Sequence, residues 1–145
     1  MSRMMKSVEL GRVSAAHARK IRSVEMEWLV IVCQLVTALG LLNVWLLRTG
    51  KRTPWRGGDA KNMGEEFAVY GLSNGFMKVV GFFKVTLAVC LIVGLWVHIV
   101  TRPAAIGVAA LMLGAVAMHV KVKDPFQKSL PALTLLVMSL LVAIS

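Results

Sequence analysis

The sequence predicts an all-α membrane protein: four transmembrane helices in a bundle, with a short amphipathic helix lying at the interface between the first and second. Three observations predict it. The chain of 145 residues is 57% hydrophobic and only 17% charged, well off the balance of a soluble domain. The apolar residues are gathered into runs long enough to cross the ~30 Å hydrocarbon layer at the ~1.5 Å rise of a helix. Finally, 17 basic side chains stand against 7 acidic ones, and the cations sit just outside the apolar runs. That placement points to anionic lipid headgroups and away from nucleic acid.

Residues 1–27 form a basic tail and residues 28–145 the membrane domain. The tail carries Arg3, Lys6, Arg12, Arg19, Lys20 and Arg22 against Glu9, Glu25 and Glu27. Leu10, Val13, His17, Ile21 and Val24 recur at helical spacing, which suits a helix on a lipid surface; a partly ordered basic tail fits equally. The apolar run that follows is too long for a signal peptide. The first span is expected over Trp28 to Leu47, with Trp28 and Trp45 as interfacial aromatics at its ends. Gln34 and Asn43 are its polar members, suited to bonding neighbouring helices.

Arg48, Lys51, Arg52 and Arg56 make the next loop basic. Pro54 and the Gly57-Gly58 pair exclude a continuing helix. Asp59 reads as the N-cap of a helix from about Ala60 to Tyr70, and Gly71 as its left-handed terminator. At about 11 residues this element is too short to cross. Ala60, Met63, Phe67 and Tyr70 form its apolar stripe. Ser73 then caps a second span over Asn74 to Val100, in which Gly81, Lys84, Ala88, Leu91, Leu95 and His98 share one face. The third span is expected over Ala104 to Val120 after the Thr101-Arg102-Pro103 turn. Gly107, Ala110, Gly114 and Ala117 lie along it as a stripe of small residues, which with Gly81 and Ala88 reads as helix-packing surface. A fourth runs over Leu130 to Ile144, led in by Phe126 to Ser129, with Pro131 in its first turn.

Four crossings put alternate loops on one side. The loops after the first and third spans therefore share a side, here called B. Asn43, Lys84, Glu65, Glu66, Tyr70, His119 and Asp124 all point towards it, a candidate polar site at the bundle mouth. Lys84 is its sharpest member, because a lysine near the bilayer centre costs at least ~2.5 kcal/mol. Glu66, and next Glu65, is the expected salt-bridge partner. The basic residues Arg19, Lys20, Arg22, Arg48, Lys51, Arg52 and Arg56 read as lipid-facing. Cys33 and Cys90 are small buried hydrophobes in this reading. The histidines have no metal-ligand spacing, and nucleophile motifs and phosphate loops are missing. No catalytic residue is assigned and no cofactor is required, a quinone being the one the site would suit. The positive-inside rule is nearly tied between the flanks of the first span, and the continuous basic tail favours cytoplasmic termini.

These residues resemble the DoxX-like family of small four-helix membrane proteins over about Val36 to Leu141. The resemblance rests on Arg56-Gly57-Gly58-Asp59-Ala60 with Met63 and Glu65-Glu66-Phe67, on Tyr70-Gly71-Leu72, and on Val80-Gly81-Phe82-Phe83-Lys84. Met112 to Ala115, His119 to Pro125 and Leu130-Pro131-Ala132 complete it. Relatives usually carry proline where Ser73 stands, and the basic tail is outside the pattern. The resemblance implies a bundle in a bacterial-type cytoplasmic membrane. Some members are named for a thiosulfate:quinone oxidoreductase, and others are linked to redox complexes or to chaperoning of membrane partners. Two functions are therefore expected to compete: an accessory subunit or assembly factor of a larger membrane complex, such as a redox complex, and a quinone-binding subunit of a membrane oxidoreductase.

Overall fold

The computed structural model describes the backbone of residues 2–145 and the side chains of residues 5–145, so that Met1 lies outside the described residues. Its helices are α1 (Ser2–Leu42), α2 (Met63–Val69), α3 (Asn74–Val93), α4 (Thr101–Lys121) and α5 (Phe126–Ile144). Four of these stretches are long and apolar enough to cross a membrane: α1 with its continuation to Leu47, α3, α4 and α5. The chain is an integral membrane protein. The spans form a ring in which α1 adjoins α3 and α5, and α4 adjoins the same two.

The core lies in the half of the bundle away from side B. Cys33, Ala38 and Leu41 of α1 meet Ala88 and Leu91 of α3, Ala104, Ala105, Val108 and Met112 of α4, and Val142 of α5. Small residues at these positions let the backbones approach, which suits a medium where apolar burial gives little gain. Gln34 fixes the α1–α3 contact by donating its side-chain amide to the Leu91 carbonyl at 2.6 Å. Just beyond, α3 stops at Val93, a turn or more short of Val100. A Cβ at Gly94 would run into the Thr101 hydroxyl and the Gln34 amide, and Thr101 caps the end by donating to the Gly94 carbonyl at 3.0 Å. Leu95 and His98 thus fall outside the helix.

The tail and the first span are one helix. α1 runs 41 residues without interruption, and every residue from 5 to 29 is exposed. At its other end α1 passes into a π-helical turn, Asn43–Leu47. The widened turn directs Trp45 inward, where it is buried against Gly81; a Cβ there would meet the indole at 2.6 Å. Trp45 is therefore a packing residue and not the interfacial aromatic that its position in sequence suggests. Trp28, at the other end, is exposed.

Two helix ends follow the sequence closely. Ser73 accepts from the Phe76 amide at 3.1 Å, and Gly71 takes φ +78° while Leu72 N–H bonds the Phe67 carbonyl at 2.8 Å, a Schellman ending. Asp59, however, is not a cap. Asn62 accepts from Glu65 N–H at 2.9 Å and donates back to the Glu65 carboxylate at 2.9 Å, so this reciprocal pair starts α2 at Met63. Similarly α5 begins at Phe126, where Lys128 N–H already bonds the Pro125 carbonyl at 2.9 Å. Pro131 consequently sits inside the helix and not in its first turn.

The notch at Gly81 generates a prediction. Gly81→Ala should lower the thermal stability of the purified protein by about 1–3 kcal/mol, because a rigid indole has to move. Gly107→Ala, which meets only the ends of the Leu87 side chain, should cost less in the same melting experiment.

Candidate functional site at the mouth of the bundle

The loop from Arg48 to Asn62 is built around one buried side chain. Arg56 is only 5% exposed. Its guanidinium donates to the Glu66 carboxylate at 2.8 Å, to the Lys51 carbonyl at 3.0 Å, and to the carbonyls of Arg48 and Thr49. Arg56 is thus not a lipid-facing cation, while Arg48, Lys51 and Arg52 are exposed at the rim. Glu66, also buried, accepts from Gly57 N–H at 2.9 Å and from the Tyr70 hydroxyl at 2.9 Å. Gly57 is required there, since a Cβ would strike the Tyr70 hydroxyl and ring.

A second carboxylate holds the next link of the loop. α4 ends in a Schellman turn of its own, with Lys123 at φ +57° and Asp124 N–H on the His119 carbonyl at 3.0 Å. This folds Asp124 back beneath His119, where its carboxylate pairs with the ring Nδ1 at 2.8 Å. The other oxygen accepts from Gly58 N–H at 2.9 Å and lies 3.6 Å from the Lys128 ammonium. Lys128 donates to the Gly58 carbonyl, and Lys121 to the Tyr70 carbonyl at 3.1 Å. Gly58 itself has φ +55°. Tyr70 closes the chain of groups, standing edge-on to His119 with ring centroids 5.7 Å apart.

Electrostatics follow from this packing. Burial, then the Glu66 charge and its hydrogen bond, push the Tyr70 phenol far above its usual range, so it stays a neutral donor. Burial pushes Asp124 up, but the hydrogen bonds from His119 and Gly58, with the charges of Lys128 and His119, outweigh it and hold the carboxyl below its usual value.

Lys84 stands apart from both clusters. It is 9% exposed, on the inner face of α3 with Gly81, Ala88 and Leu91, and its ammonium lies over the Trp45 ring at 5.1 Å. It does not pair with Glu66 or Glu65 as the sequence suggests. Glu66 is taken by Arg56, and Glu65 is exposed and occupied by Asn62 and the Lys61 amide. Lys84, Asn43, Glu66, Tyr70 and His119 nevertheless line one cavity of about 490 Å³ at the centre of the mouth. Asp124 lies behind His119, and Glu65 is outside. The small residues of α4 divide. Gly107 packs on Leu87, Ala110 and Gly114 line the cavity, and Ala117 is exposed. The helix packing of α4 uses Ala104, Ala105, Val108, Ala109 and Met112 instead.

The DoxX-like family profile matches residues 57–142. The chain belongs to the DoxX-like family. The matched region opens on the two glycines of the loop and takes in α2, all of α3 and α4 and nearly all of α5. It thus holds both carboxylate clusters except for Arg56, one residue before it. No curated protein and no solved structure matches the chain.

Two predictions come from the site. In a double-mutant cycle read by thermal unfolding, Arg56→Met and Glu66→Gln should be strongly coupled, each single change costing about 3–5 kcal/mol for the buried charge left behind. Lys84→Met and Glu66→Gln should couple more weakly, since neither a hydrogen bond nor an ion pair joins them. The second concerns pH. A carboxyl held low in the folded state contributes stability above its unfolded pKa and loses it as pH falls through the folded one. Melting temperature should therefore drop as pH falls below the ordinary 3.8 of an aspartate, and Asp124→Asn should flatten that acid limb.

Proposed function

We propose that this protein is a non-catalytic accessory subunit or assembly factor of a larger membrane complex, such as a redox complex, in a bacterial-type cytoplasmic membrane. The observation that carries this reading is the bare stretch of α1. Residues 5–29 are exposed on every face, and Leu10, Val13, Ile21 and Val24 are 71%, 64%, 48% and 43% exposed. Because the helix continues a span without a break, it leaves the bundle along that span's axis for about 36 Å. Arg19, Lys20 and Arg22, within the first ~15 Å of Trp28, can reach anionic headgroups. Leu10 and Val13 are carried well beyond the ~8 Å Debye length. A protein surface with its own apolar stripe and an acidic flank is the partner that covers them.

The mouth supports the same reading. Arg56, Glu66, Tyr70, His119, Asp124 and Lys128 spend their hydrogen bonds on one another and on the loop backbone. Groups tied in this way brace a fold more readily than they transfer protons to a substrate. Purification in mild detergent tests the proposal. The intact chain should emerge with a stoichiometric membrane partner, and Leu10→Asp with Val13→Asp should release it while leaving the bundle's melting temperature unchanged. A chain that emerges bare, or a partner indifferent to those changes, would sink the accessory role.

A further inference from the structure

The cavity at the mouth contains a cation that the protein itself leaves unmatched. Among the described residues, the Lys84 ammonium has no hydrogen bond and no ion pair, and it lies against the Trp45 ring face. That face offers electrostatic attraction but no acceptor for the three N–H donors. The two nearby carboxylates are already occupied, Glu66 by Arg56 and Asp124 by His119 and Lys128. Four cations, Arg48, Arg56, Lys84 and Lys128, line the cavity against a single carboxylate, Glu66. Arg48 is exposed at the rim, and Arg56 and Lys128 are engaged by carboxylates and loop carbonyls; Lys84 is the buried cation with no carboxylate in salt-bridge reach. A lysine at membrane depth is costly unless it meets an anion or water.

The rest of the wall suits a hydrocarbon chain. Ala110, Gly114 and Ala115 of α4, with Pro131, Ala132 and Leu135 of the adjoining α5, line the cavity. A Cβ at Gly114 would meet no atom within 4 Å, so this glycine gives room and is not needed for helix contact. The volume, about 490 Å³, falls among pockets that take a whole small-molecule ligand.

We propose that this cavity binds a single-chain amphiphile with a monoanionic head, of which a long-chain carboxylate is the simplest. The head accepts hydrogen bonds from Lys84 above the Trp45 ring, and the tail lies along the small-residue wall of α4 and α5. Binding brings the unmatched cation its counter-ion at a place where water is scarce. It stands independently of the accessory role, since it uses the mouth and not the projecting helix.

The test uses the full chain in dodecyl maltoside with tritiated palmitate. Unlabelled palmitate, its methyl ester, phosphatidylglycerol and decylubiquinone serve as competitors. Saturable binding is expected, displaced by palmitate and far less by the ester, the two-chain lipid or the neutral quinone. Lys84→Met should weaken it by about tenfold or more, the size of one charged hydrogen bond lost. Lys84→Arg should retain most of it. Gly114→Leu should fill the wall and abolish binding while melting like the parent, because its side chain enters open space and favours the helix. Should Lys84→Met fail to fold, the ester comparison and Gly114→Leu still decide. Equal competition by the ester removes the role of charge, and displacement by decylubiquinone alone makes this a quinone site instead. Displacement by phosphatidylglycerol as good as by palmitate assigns the anion to a membrane lipid and overturns the single-chain ligand. Palmitate binding unchanged by both Gly114→Leu and Lys84→Met overturns the site.

Discussion

The mouth of this bundle depends on the carboxylate of Glu66. It accepts from the Arg56 guanidinium, from Gly57 N–H and from the Tyr70 hydroxyl, and so joins the loop, α2 and, through Tyr70, the end of α4. A buried ion pair is worth little unless its remaining polar atoms are also satisfied. Here they are, since Arg56 spends its other donors on three loop carbonyls. The Arg48 and Thr49 carbonyls also accept from the N–H groups of Lys51 and Met63, whereas the Lys51 carbonyl has Arg56 as its donor, and a carbonyl left unpaired would be costly. The same guanidinium thus answers two needs, charge neutralisation and backbone satisfaction, with one set of bonds.

The two halves of the bundle are held by different physics. Away from the mouth, alanines and a few branched residues bring the backbones together around Leu91 and Val108, and Gln34 adds one short interhelical bond. Near the mouth the helices are bridged by large rings. Trp45 fills the notch at Gly81, and Phe67 of α2 meets it edge-on at 6.2 Å. Rings reach further than alanines but fill space less completely, and the cavity lies in this half. α2, too short to cross, stands across the opening because Met63 and Phe67 are buried there with Trp45.

The architecture was legible because the bilayer imposes lengths that apolar runs must meet. Helix ends were legible where one residue decides the matter, as at Gly71 and Ser73. They are ambiguous in sequence where two residues compete: Asp59 has the right chemistry for a cap, but Asn62 has Glu65 three positions on to reciprocate. The site was legible as a side and not as a set of pairs. Lys84, Glu66, Tyr70 and His119 do line one cavity, since sidedness follows from connectivity. Which acid meets which cation depends on loop geometry, and position alone makes Arg56 look lipid-facing. The Gly57-Gly58 pair beside it was the available signal. Two glycines in succession allow the backbone N–H groups to approach carboxylates closely, and here they reach Glu66 and Asp124.

The choice of Arg56 over Lys84 as the partner of Glu66 has a consequence for chemistry. A guanidinium is a planar fork that can bond a carboxylate and several carbonyls at once, whereas an ammonium is a compact point charge on a flexible stem. Only the fork can gather the loop while neutralising Glu66. With Glu66 saturated, the ammonium of Lys84 is left against an indole face, attracted but not hydrogen-bonded. Had the pairing been the reverse, the loop would have lost its centre and the cavity its cation. The residue that braces the fold and the residue left without a hydrogen-bonded partner in the cavity are therefore distinct, and the closed cluster is what keeps the open one available.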